Sequence, residues 1–293
     1  MPTKPAALLH VLRCELDATN QQFVHILALK LQGELEAAKR ITEIDDVDFV
    51  NSMRIIDYLV ATKTPITLPA GVCEPGMNYL SMLISERAME TRIGEAIDGC
   101  GKFGDRAQGF IETARAPRQA YASWLDASIA EASSGAREQS PFVSITADLS
   151  AQLLTLIEQS MIHAFVHWHA GDTVAADAAW ATSGAAMMHM TRLVQLFAKL
   201  PGVPVPGACP APDIQNNADD TLDADRNLAQ LCAQQALTAA DRCEHEGIAS
   251  FCTGIAEYYR LFSLWQPQTP HPAADTNPAV FHSFEATLSK FVK

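Results

Sequence analysis

The chain has 293 residues, 48 % of them hydrophobic, and a formal net charge of −13. That length and apolar content suffice for one large or two ordinary cores, while the acidic balance argues against nucleic acid and anionic membrane surfaces, both of which need a basic face. No apolar run approaches the ~20 residues that span a bilayer, and the N-terminal "MPTKPAALLHVLRCEL" has no clear small-residue cleavage site, so no signal peptide is read.

Strand signals are nearly absent. From 6 to 32, Leu9, Leu12, Leu16, Phe23 and Leu27 recur at helical spacing, and Gly33 marks a break. A second helix is predicted over 34–62, with Phe49, Met53, Ile56 and Val60 as its stripe. "TKTPITLPAGVCEPG" is too long and too rich in proline for a tight turn and reads as a crossover. "MNYLSMLISERAMETRIGEAIDGC" predicts a third helix, "GKFGD" breaks it, and a fourth runs over 105–132. "SSGAREQSP" reads as a linker. The same order then returns: a helix over 147–170 ending at Gly171, another to Leu200, a proline-rich crossover "PGVPVPGACPAPD", and helices over 220–245 and 248–265. "QPQTPHPAADTNP" leads to a short terminal helix, "AVFHSFEATLSKF". The expected units are 1–137, a linker 138–146, 147–266, and a tail 267–293.

The halves align at one offset. "NQQFVH" matches "EQSMIH", Gly33 matches Gly171 and "NSMRII" matches "HMTRLV", each pair separated by 138 residues. A constant offset through two helices, followed by a crossover in each half, indicates duplication. Each unit then has short A–B and C–D links and a long B–C crossover, an arrangement found in ferritin-like bundles.

The residues themselves carry that resemblance. "ELDATNQQFVHILALKLQG" resembles the first helix of bacterioferritin and its relatives, "DFVNSMRIIDYLVATKTP" the second, and "SERAMETRIGEAID" the third. The resemblance spans 8–130 and recurs over 147–265. It implies an all-α fold of two tandem ferritin-like four-helix bundles, open to packing as an internal pseudo-dimer. The family's di-iron centre takes one Glu from helix A, Glu-x-x-His from B, one Glu from C and Glu-x-x-His from D. Carried over, A supplies Glu15, B supplies Asp48 and Asn51, and C supplies Glu86. The D pair falls on Arg118 and Tyr121, or on Gln119 and Ala122, neither of which has a carboxylate or a histidine. In the second unit Leu153 matches Glu15, Ala186 matches Asp48, and Gln234 is the expected match of Glu86. His189 alone stands where the family has a metal histidine.

Two irons need about six protein ligands, so this set disfavours a ferroxidase. Glu15, Asp48 and Glu86 have three readings: ligands of a metal, an internal polar cluster closed by Arg118, or solvated helix faces. His163 and His167 share a face, and His189 belongs to the neighbouring helix. They are candidate neutral ligands with Glu158 nearby, against the alternative of hydrogen-bonded core histidines. "CEHEG" and the methionines of "AAMMHMTR" read as a solvated helix end and as packing. Cys14, Cys73, Cys100, Cys209, Cys232, Cys243 and Cys252 are odd in number and scattered, which predicts reduced thiols in a cytoplasmic protein. The leading expectation is a non-ferroxidase ferritin-like protein with a binding or structural role. The alternatives are a metal-dependent oxidoreductase with a remodelled site and a bundle that holds a small organic ligand. Iron, another transition metal or no metal, and a homo-oligomer, all remain open at this point.

Overall fold

The computed structural model describes residues 4–69, 71, 78–100, 105–135, 147–198, 214–215, 221–273 and 284–291. The expected linker 138–146 and most of the second crossover lie outside them, as do Cys73 and Cys209. The described chain is all-α apart from one short strand pair. The first half contains α1 (Lys4–Gln32), α2 (Leu35–Ala61), β1 (Thr67–Leu68), α3 (Tyr79–Gly99) and α4 (Asp105–Ser134). The second repeats the order with α5 (Ala147–His169), α6 (Thr173–Ala198), β2 (Ile214–Gln215), α7 (Thr221–Arg242) and α8 (Glu246–Ser263), and α9 (Phe284–Phe291) follows.

The repeat extends to the helix ends. Gly33 and Gly171 both have φ +81°, the left-handed region that glycine enters without a Cβ penalty. Each closes its helix with the same two backbone bonds. Glu34 N donates to Leu29 O and Gly33 N to Lys30 O; Asp172 N donates to His167 O and Gly171 N to Trp168 O. This is a Schellman ending, and it turns the chain at once into the next helix. Asn78 caps α3 by accepting from Ser81 N at 2.8 Å, and Asp172 caps α6 by accepting from Ala175 N at 3.0 Å.

α1 packs on α2 and α3, and α4 on α2 and α3; α5 packs on α6 and α7, and α8 on α6 and α7. Burial follows from these neighbours. The outer helix α8 buries one stripe, Ile248, Cys252, Ile255, Tyr259 and Phe262, at spacings of three and four. α1 lies deeper and has residues 11–18 all buried, so it has little amphipathic character to read. Each fully buried Leu, Ile or Phe contributes roughly 1.5–3 kcal/mol of apolar transfer.

The halves meet reciprocally: α1 touches α6, α2 touches α5, and β1 pairs antiparallel with β2 through Thr67–Gln215 and Leu68–Ile214. Asn20 and Glu158 occupy equivalent positions, and the Asn20 amide donates to the Glu158 carboxylate. Contact between equivalent residues marks a pseudo-twofold axis. Arg13 reinforces it with a bidentate pair to Glu158 at 2.8 and 2.7 Å and also bonds Asp17. One apolar core runs through both halves, from Leu8, Leu12 and Ile56 to Leu153, Phe165 and Tyr259.

Candidate functional site

Four helices of the first half deliver charged side chains to one buried place. The Arg118 guanidinium of α4 donates to Glu15 of α1 at 2.8 Å and to Glu90 of α3 at 3.3 Å. It also pairs with Asp48 of α2 at 2.6 Å. Gln22 donates to the other Asp48 oxygen at 2.9 Å, and His25 meets Glu86 at 2.7 Å. Asn51, one turn beyond Asp48, stands beside Glu15. Glu15, Asp48 and Glu86 are fully buried, and Arg118 is 7 % exposed. The structure thus brings together Glu15, Asp48, Asn51 and Arg118, with Glu86 adjoining. On α4 it is Arg118 that reaches the cluster, while Gln119 is exposed.

Acids outnumber cations here. Glu15, Asp45, Asp48, Glu86 and Glu90 face one guanidinium and one imidazole. Burial pushes Glu15 up to about 8 against the opposing pull of Arg118. Burial and the Asp48 charge push Glu90 up to about 8, and burial with Asp48, Asp46 and Glu86 does the same to Asp45. Burial also raises Asp48. Burial alone would weaken the Arg118 charge, but Asp48, Glu15 and Glu90 together raise its pKa. Near neutral pH the cluster therefore holds bound protons beside one permanent cation. Tyr121 of α4 lies near the same acids, its buried hydroxyl without a hydrogen-bond partner among the described residues, and lines a cavity of about 310 Å³ with Arg40, Glu43 and Trp124.

The residues do not fit the family's di-iron centre. A guanidinium bonds the A and B carboxylates that would hold iron, and neither Asn51 nor α4 supplies an imidazole. Among the described residues, no group of three or more His, Cys, Asp or Glu side chains is placed to hold a metal ion.

The second half fills the equivalent depth differently. Leu153 and Ala186, equivalent to Glu15 and Asp48, are fully buried, and so is Ala229 on α7. The three candidate histidines go to three partners. His163 meets Asp225 at 3.0 Å, His167 meets Thr221 at 2.7 Å, and His189 meets the Tyr259 hydroxyl at 3.0 Å. Burial lowers His189 to about 4, within an aromatic setting of Tyr258, Tyr259 and Phe251. Glu158 belongs to the pseudo-axis rather than to this group.

The expected match of Glu86 to Gln234 is corrected by the structure. His25 reaches Glu86 and the equivalent His163 reaches Asp225, while Gln234 is exposed. The crossovers hide this register, because α7 is rich in alanine and can be slid along α3 without an obvious clash of residue type. His25, Asp45 and Glu90 were not foreseen as site residues. Glu90 follows Glu86 by four and Asp45 precedes Asp48 by three, which places each on its partner's helix face.

Against known proteins, no family model, no curated sequence and no solved structure matches the chain.

Proposed function

We propose that this chain is a ferritin-like pseudo-dimer whose iron positions have been converted to other uses, so that it acts as a binding or structural protein and not as a ferroxidase. The observation that carries this reading is the Arg118 guanidinium bonded to Glu15 and paired with Asp48. A fixed cation there supplies the charge compensation that metal ions supply in the family, without redox chemistry. The repeated helix order, the matched glycine endings and the pseudo-axis at Asn20 and Glu158 support the tandem bundle. Cys14, Cys100, Cys232, Cys243 and Cys252 are free thiols, in keeping with a reducing compartment. No described helix is long and apolar enough to cross a membrane.

One observation favours the second reading, a metal-dependent oxidoreductase. Oxygens Oε2 of Glu15 and of Glu86 are buried and have no hydrogen-bond partner among the described residues. Anaerobic protein mixed with Fe(II) and then with oxygen separates the two. The scaffold reading expects oxygen consumption at the rate of iron in buffer. Faster consumption that disappears in Glu86→Ala would replace it with the oxidoreductase.

A further inference from the structure

A cavity of about 200 Å³ opens between α5, α6, α7 and α8 in the second half, lined by Asp225, His167, Thr182, Phe262 and Trp265 with Asp172 among its residues. Asp225 is 3 % exposed. Its Oδ1 accepts from Gln159 at 2.9 Å and from His163 at 3.0 Å, while Oδ2 has no hydrogen bond among the described residues. The adjacent Arg226 is engaged elsewhere, donating to the Trp265 carbonyl and to Asp223. Burial lowers His167 and takes His271, packed on Phe262 and Trp265, down to about 4, so neither supplies a cation at neutral pH. Asp225 thus lines a small cavity with one carboxylate oxygen that has no hydrogen bond among the described residues and can accept from a ligand. Phe262 and Trp265, stacked at 18° with centroids 6.1 Å apart, form part of the wall beside Val174, Ala178, Ala179 and Leu222. Aromatic faces attract a cation and repel an anion. Exposed Asp172 adds negative charge near His167.

We propose that the second half binds a small organic cation, a protonated amine, with its ammonium on Asp225 and its carbon chain against Phe262 and Trp265. The volume lies below that of drug-sized pockets and restricts the ligand to a few carbons. The site is separate from the Arg118 cluster and does not depend on how that cluster is read.

Calorimetric titration of the full chain at pH 7.5 with n-butylammonium, n-butanol and butyrate tests it. The expected result is saturable binding of n-butylammonium, at least about tenfold tighter than n-butanol, and no binding of butyrate. Asp225→Asn and Ala179→Leu, the second of which fills the cavity and keeps the carboxylate, are each expected to abolish it. Asp172→Asn, at an exposed position that leaves the core intact, is expected to weaken it severalfold. Butyrate or n-butanol binding as tightly as n-butylammonium would overturn the proposal. So would an affinity for n-butylammonium unchanged in both Ala179→Leu and Asp172→Asn, a result that stands even if Asp225→Asn fails to fold.

Discussion

At the same depth in the two halves, one frame holds opposite contents. The first buries Glu15, Asp48, Glu90 and Arg118, while the second buries Leu153, Ala186 and Ala229. The helix order, the glycine endings and the contacts between helices are shared. The frame is thus set by its apolar stripes and helix ends, and the centre tolerates either a compensated ion cluster or aliphatic packing. Buried ion clusters are commonly matched or exceeded in stability by well-packed apolar groups, whereas removing one partner alone is costly. The comparison makes that contrast measurable within one chain.

The largest effect is expected from Arg118→Met, which removes the one guanidinium that Glu15, Asp48 and Glu90 share and leaves their buried oxygens without that donor. It should destabilise the protein by about 3–5 kcal/mol in urea unfolding at pH 7. The triple variant Glu15→Leu, Asp48→Ala and Arg118→Met, which imports the second half's pattern, should recover most of that loss. A triple variant less stable than the single one would break the comparison. Next comes the axis between the halves. Arg13→Leu leaves Glu158 with only Asn20 and should cost about 3 kcal/mol while keeping a single unfolding transition.

The halves should also respond to pH in opposite directions. Glu15, Asp45 and Glu90 have folded pKa values of about 8, above their ordinary 4.5, 3.8 and 4.5. The folded state binds more protons than the unfolded one between those limits, so their contribution is present at acid pH and falls as pH rises towards 8. His189 and His271 have folded values of about 4, below 6.5, so their contribution is present above 6.5 and falls as pH drops towards 4. Asp45→Asn should accordingly stabilise the protein at pH 8 and change it little at pH 4. His189→Phe should flatten only the acid side. Melting temperatures across pH 4–8.5 check both variants; equal shifts at both ends would show that these groups are not the source. At the small end, Arg260→Ala removes a surface pair with Glu257 and should leave the melting temperature unchanged.

Much of this contrast was legible in the sequence where helix periodicity and the constant offset acted together. Glu15, Asp48, Leu153 and Ala186 lie on helices joined by a short tight turn, so insertions cannot shift their register. Arg118 and Gln119 were equally open on α4 in the sequence, and packing buries Arg118 and exposes Gln119. Asp225 was hidden because α7 follows a crossover of different length and its alanines give little register information. The shared face of His163 and His167 was readable from their spacing of four. Their separate partners, Asp225 and Thr221, were not, because spacing along one helix says nothing of what the next helix presents.

We propose that Arg118 stands in place of a metal. Elemental analysis of the protein purified with and without added iron, manganese, copper and zinc tests it most directly. The expected result is less than about 0.1 metal per chain in every preparation, a level far below what a resident site would hold. One or two equivalents of a transition metal, lost in Glu15→Ala and retained in Arg260→Ala, would contradict it.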